Sequence, residues 1–197
     1  LKKKVIIVNS FNENSVNEIK ENFNEVKIIF SNEKLYAGQA RNLGLDSANS
    51  DYYALIDSDV ILPDNWTEEM LNFYQSVNTN TNSMILSGSI TNAKLTKSYS
   101  RDSLIFIMCN QFLHSKKIID RKYLSGCNLF FNNKTKANVI FPNKKIGEDV
   151  LMTNLAYKKG TVLKVVGPIL SEHLTYKNLL SYSFQLGVCS HAISLAK

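Results

Sequence analysis

An α/β sandwich on a largely parallel sheet, flanked by helices, is the fold this sequence predicts, and three observations predict it. Short apolar runs of strand length alternate with segments of helical period along 197 residues. The connections between them are short, as in layered α/β domains. The apolar run Tyr52-Tyr53-Ala54-Leu55-Ile56 ends in a pair of carboxylates, Asp57-Ser58-Asp59. Ligands of open α/β sheets bind beyond the carboxyl ends of strands, where this pair lies.

The elements follow in order. Residues 5–8 form a short β-type run, and 13–23 have helical spacing, with Val16, Ile19, Lys20 and Phe23 on neighbouring turns. Residues 26–30 are a second strand. The helix predicted over 37–48 carries a small-residue face, Ala40, Leu43, Gly44 and Ala48, suited to close packing on a sheet. Residues 52–56 are the third strand. Pro63 is expected to open the next helix, where its missing N–H costs nothing. Glu68 and Glu69 then complement the helix dipole.

Residues 84–90 read as a fourth strand. Most of 91–121 has no clear period, although 104–113 are apolar enough for a helix or a buried strand. Residues 123–131 are strand-like but interrupted by Gly126, and 147–158 are helical, stopped by Gly160 as a C-cap. A strand over 161–166 and a mostly apolar helix over 176–196 complete the order. The expected organisation is one domain, 1–197, in two halves (1–90 and 91–175) with a C-terminal helix (176–197).

Bulk properties exclude several function classes. The three cysteines, Cys109, Cys127 and Cys189, lie far apart with no CxxC pair. That argues against a disulfide framework or a zinc site and suits a reducing, cytoplasmic compartment. A net charge of +6 favours an anionic partner. The lysines are dispersed among asparagines without a dense basic block, which gives nucleic-acid binding little support. Nothing approaches the roughly 18 unbroken apolar residues of a membrane span. Lys2-Lys3-Lys4 imitates the start of a signal peptide, but the apolar run stops at Asn9 and reads as a strand. The first residue is Leu1, consistent with a part of a longer protein.

Two carboxylates at i and i+2 on extended backbone face the same side and can share one hard divalent cation, Mg²⁺ or Mn²⁺. The same two aspartates also suit a turn before Pro63. Context separates these readings. Gly38-Gln39-Ala40-Arg41-Asn42-Leu43-Gly44, then a hydrophobic strand, then Asp57-Ser58-Asp59 and Pro63, closely resembles the nucleotide-sugar domain of family 2 glycosyltransferases of the GT-A fold. Ser125-Gly126-Cys127-Asn128-Leu129-Phe130-Phe131 resembles that family's glycine-containing strand beside the acceptor. Gly147-Glu148-Asp149-Val150-Leu151 resembles its E-D pair at the head of a helix.

The resemblance implies a fold and a division of labour. The fold is GT-A, Rossmann-like, with its first strand absent from this chain. Asp57 contacts the nucleotide ribose or the metal, and Asp59 coordinates the metal that bridges the diphosphate. His173, after the last strand, falls where many members place a histidine close to the metal. Asp149 is the general base for an acceptor hydroxyl, and the anomeric centre is inverted. Asn9, Gly38, Arg41 and Asn42 fall to the nucleotide side. For Arg41 a structural ion pair with a carboxylate stands beside a nucleotide contact, and Cys127 reads as a buried side chain.

The implied cofactors are Mn²⁺ or Mg²⁺ with a nucleotide sugar as donor, and the implied acceptor is a saccharide or a lipid-linked glycan. The apolar residues of 176–196 favour core packing, with contact at the inner face of a membrane as the other reading. One departure concerns the donor: Asn9-Ser10-Phe11-Asn12 replaces the family's acidic turn, so an asparagine stands where an aspartate reads the base. Two other functions remain. One is a degenerate, non-catalytic GT-A binding module. The other is a haloacid dehalogenase-type phosphatase, whose hydrophobic D-x-D-x-V signature Leu55–Val60 also fits, with Asp57 as nucleophile.

Overall fold

The computed structural model describes residues 4–10, 13–77, 83–92 and 117–173. The expectations for 104–113 and 176–196, and for most of 91–121, lie outside the described residues. Strand β1 (Ile6–Ser10), helix α1 (Glu13–Asn22) and strand β2 (Lys27–Ser31) make a βαβ unit. Its two strands pair in parallel, from Ile6 opposite Lys27 to Ser10 opposite Ser31. Helix α2 (Ala37–Asp46) leads to strand β3 (Tyr52–Ile56), the two-residue strand β4 (Val60–Ile61) and helix α3 (Trp66–Ser76). Strands β5 (Met84–Asn92), β6 (Ile118–Asp120) and β7 (Asn128–Asn132) follow. The one-turn helix α4 (Asn133–Lys136), helix α5 (Glu148–Lys158) and strand β8 (Val162–His173) close the order.

A six-stranded sheet runs β3-β7-β5-β8-β4, with β6 also against β8, beside the separate β1–β2 pair. The α/β class and the flanking helices agree with the sequence, and the pairing is mixed rather than mostly parallel. Among the described residues, only β1–β2 and β5–β8 are parallel. Strand β7 inserts antiparallel between β3 and β5, and β4 and β6 meet β8 antiparallel. Apolar runs mark strands but carry no direction, and the parallel expectation came from the helix-strand alternation of the first half.

Three of the boundaries that differ from the sequence expectation have a visible cause. Pro63 does not start a helix: β4 first pairs with the end of β8, and the carbonyl of Pro63 accepts from the amide of Trp66 at 2.9 Å, so α3 begins at Trp66. The run 123–131 is a strand only from Asn128, because the Gly126 amide is given to a side chain rather than to a ladder. The last strand extends beyond 166 to His173. It does so by bulging: Gly88 faces Val166, but Ser89 faces Leu170. A Cβ on Gly88 would lie 2.8 Å from the carbonyl oxygen of Ile169, so the bulge requires glycine opposite it. Gly160, at φ 88°, ends α5 as expected.

Alternation along β7 divides the core. Leu129 and Phe131 pack with Leu45, Tyr53, Leu163, Phe141 and Met152 on one face. Phe130 packs with Trp66, Met70 and Leu86 on the other. Cross-strand stacks of Tyr53 on Phe131 and Tyr52 on Phe130, at centroid distances of 5.6 and 5.7 Å, fix β3 to β7. Between the faces, buried Asn128 accepts from Ser87 at 2.6 Å and donates to Ser171 at 3.0 Å, tying β5, β7 and β8 together. β3 is thereby held so that its end projects toward the Gly126 loop.

Phe131 is wholly buried, whereas Ile140 is 64% exposed. Phe131→Ala is expected to cost about 3–5 kcal/mol in urea unfolding. Ile140→Ala is expected to stay within about 0.5 kcal/mol of the parent.

Candidate functional site

The acidic pair sits on a tight turn rather than on extended backbone. The amide of Asp57 donates to the carbonyl of Cys127 at 3.0 Å, and the amide of Val60 closes back on the carbonyl of Asp57 at 3.1 Å. Ser58 and Asp59 are therefore the central residues of a turn, and the alternation argument does not orient them. The turn is fixed from its far side. Val60 pairs with His173, which also pairs with Asn92, so the backbone at the end of β8 runs beside the residue that follows Asp59.

Arg41 organises the rest. From α2 its Nη2 donates to Oδ1 of Asp57 at 2.5 Å and its Nη1 to Oε1 of Glu148 at 2.7 Å. Its side chain is only 13% exposed, against 29% for Asp57. The guanidinium lies over the Phe141 ring, 5.3 Å from its centroid. On another side is Gly126, where a Cβ would come within 2.9 Å of Nη2 and 3.1 Å of the Asp149 Cβ. The absence of a side chain at 126 makes room for the ion pairs.

Asp149 occupies the first turn of α5, after Gly147 in the left-handed conformation at φ 78°. Its Oδ2 accepts from the amide of Gly126 and its Oδ1 from that of Val150, each at 2.7 Å. Thr153, one turn on, accepts from the amide of Leu124 at 2.9 Å and locks the Gly126 loop to the same helix. The candidate base is thus fixed by two backbone donors, each oxygen keeping a further lone pair.

Electrostatics follow from burial and crowding. Burial raises the Asp57 pKa above its ordinary value; Arg41 opposes this, while Asp59 and Asp149 reinforce it. Glu148 is likewise raised by burial and by Asp149, against the pull of Arg41. Burial disfavours the charge on Arg41, but Asp57, Asp149 and Glu148 outweigh it and hold the guanidinium protonated. Burial, and next Asp57, push the Cys127 thiol up, so it is no nucleophile at neutral pH, as its sequence context suggested.

Three carboxylates, Asp57, Glu148 and Asp149, therefore act on one buried cation, with Asp59 in the field of Asp57. Among the described residues, no three His, Cys, Asp or Glu side chains gather as a ready cation cage. The oxygen donors and the surplus negative charge nevertheless fit a hard divalent ion, which would relieve the like-charge repulsion that adds to burial in raising Asp57.

On the nucleotide side the structure shows what Gly38, Arg41 and Asn42 touch within the fold. Gly38 is buried, and a Cβ there would lie 3.0 Å from Cγ of Glu148 and 3.0 Å from Cβ of Phe141. The Asn42 amide is spent on the Phe141 backbone, donating to its carbonyl at 2.9 Å and accepting from its N–H at 3.0 Å. Both residues hold the 141–148 segment against α2, and Arg41 takes the ion-pair reading. Asn9 lies one residue before the end of β1, opposite Phe30. Sequence reasoning gave no separate role to Glu148 or Phe141. Their only signal was the need of a buried arginine for more than one partner.

Residues 1–138 match the glycosyl transferase family 2 sequence family; Glu148 and Asp149 lie beyond the matched stretch. No curated protein sequence matches the chain. Among solved structures, S. aureus TarS in complex with UDP-GlcNAc is similar at a TM-score of 0.65 and 14% identity, covering 98% of this chain and 56% of that one. GalNAc-T7 with UDP, GalNAc and Mn²⁺ is similar at 0.63 and 12%, covering 87% and 38%. A mycobacterial protein is similar at 0.61 and 11%, covering 97% and 63%. The chain spans less than two thirds of each of these, and at such identities the likeness establishes the GT-A fold.

Gly126→Ala is expected to cost about 1–3 kcal/mol in denaturant unfolding, because the added methyl meets a guanidinium pinned on its other sides. At Gly44 a Cβ would sit 3.4 Å from Val8, ordinary contact. Gly44→Ala is expected to be neutral or to stabilise by roughly 0.5–1 kcal/mol.

Proposed function

The chain belongs to glycosyl transferase family 2, and from that premise we propose that it moves a sugar from a nucleotide-sugar donor to a hydroxyl acceptor, with inversion and with a divalent cation. The observation that carries this reading is the meeting of remote acidic residues around Arg41: Asp57 at the end of β3 and Glu148 beside Asp149 at the head of α5. A leaving-group site and a candidate base share one centre.

Asp57, Asp59 and His173 are the residues that would hold Mn²⁺ or Mg²⁺. Such an ion, when bound, supplies charge neutralisation to the diphosphate leaving group. Asp149 accepts the proton of the acceptor hydroxyl as the new C1–O bond forms and the bond from C1 to the diphosphate oxygen breaks. Its two backbone donors aim the carboxylate without consuming it. Asn9 offers an amide that both donates and accepts toward a base. UDP-sugars are the first donors to try, because the similar TarS and GalNAc-T7 structures hold UDP-GlcNAc and UDP with GalNAc.

A saccharide or lipid-linked glycan is the acceptor class, in polysaccharide synthesis on the cytoplasmic side. Among the described residues no helix is long and apolar enough to cross a membrane. Nothing in the geometry favours the phosphatase reading: one oxygen of Asp57 is already given to Arg41.

The test offers a panel of nucleotide sugars with Mn²⁺ and follows nucleoside diphosphate release. Release is expected to stop with EDTA, to return with Mn²⁺, and to be absent in Asp59→Ala. Asp149→Asn is expected to lower kcat by about 10²–10⁴-fold while the donor KM stays near the parent value. Phosphate release from sugar phosphates, with every nucleotide sugar untouched, would sink the proposal. A folded protein that binds a donor but never turns it over would favour the binding module.

A further inference from the structure

The Arg41 guanidinium is divided between two carboxylates when it could serve one. A guanidinium facing a single carboxylate prefers the fork, two parallel N–H···O bonds. Here Nη2 goes to Oδ1 of Asp57, and Nη1 goes to Oε1 of Glu148. Among the described residues, Arg41 is the only side chain that donates to the Asp57 carboxylate, and it donates to Oδ1 alone. The Phe141 ring and the Gly126 backbone flank the guanidinium, so its partners decide how its arms are shared. Glu148 is itself fixed, its side chain 9% exposed and packed against Gly38.

We propose that Glu148 is a positioning residue that holds one arm of Arg41 away from Asp57 and so keeps Oδ2 of Asp57 open to a divalent cation. This rests on the transferase reading. Without an acceptor at 148, the freed Nη1 would be buried without a partner, which is costly unless it turns to a nearby acceptor. Asp57 is the neighbour already bonded to the adjacent nitrogen. The fork would then close on both Asp57 oxygens and compete with the ion.

Charge and geometry make different forecasts. Glu148→Gln removes the charge but keeps a carbonyl oxygen in place for Nη1, whereas Glu148→Ala removes both. Mn²⁺ binding, read as loss of the free-ion EPR signal in the presence of UDP, separates them without any turnover. Glu148→Gln is expected to bind within twofold of the parent. Glu148→Ala is expected to bind roughly tenfold more weakly, the scale of one charge-assisted hydrogen bond. Glu148→Met, which fills the volume without an accepting oxygen, replaces the alanine variant if that chain does not fold.

Equal Mn²⁺ affinity in parent and Glu148→Ala overturns the proposal, and so does an equal loss in Gln and Ala, which would make the effect one of charge alone. If the parent shows Mn²⁺-dependent turnover while either result holds, this inference alone falls. A parent with neither Mn²⁺ binding nor turnover takes the transferase reading down with it.

Discussion

A single buried guanidinium joins the two ends of the site, and much of the local sequence exists to accommodate it. Arg41 comes from α2, its partners from the end of β3 and the head of α5, segments separated by 16 and 107 positions in the chain. Removing one member of such a buried pair leaves an uncompensated charge, typically costing about 3–5 kcal/mol. That penalty binds the fold to one arrangement of the acidic residues. The same contacts that close α2 against α5 bring Asp57 and Asp149 within each other's field.

The glycines and the asparagine around this ion pair act through space rather than through chemistry. Gly38 allows Glu148 and Phe141 to approach α2, and Gly126 clears room for the guanidinium while its amide steadies Asp149. Asn42 clips the Phe141 backbone in both directions. Motif positions that suggest ligand contact in a sequence thus serve as spacers and clips in the fold. In the proposed reaction the chemistry falls to the carboxylates they position.

Much of this was legible in the sequence because it depended on local pattern. β3 and the tail of α5 lie where the apolar run and Gly160 place them, and the acidic pair falls at a strand end as expected. What was illegible depended on long-range pairing. The antiparallel insertion of β7 and the two-residue β4 leave no periodic trace, and β4 is what displaced the helix start from Pro63 to Trp66. The turn geometry of Asp57-Ser58-Asp59 comes from that same pairing. Glu148 was hidden for a related reason: a carboxylate at a helix N-terminus satisfies the helix dipole, so its sequence position gives no hint of a second partner.

The central claim is that Asp57, Glu148 and Asp149 form one centre through Arg41, serving a diphosphate and an acceptor hydroxyl together. A crystal structure of the protein with UDP and Mn²⁺ tests it most directly. The account predicts density for the ion at Asp59 and the open oxygen of Asp57, with Arg41 still shared between Asp57 and Glu148 and Asp149 on the acceptor side, away from the diphosphate. An ion and nucleotide bound away from the Asp57–Asp59 turn, or an Arg41 withdrawn from Glu148 onto the phosphates, would contradict it.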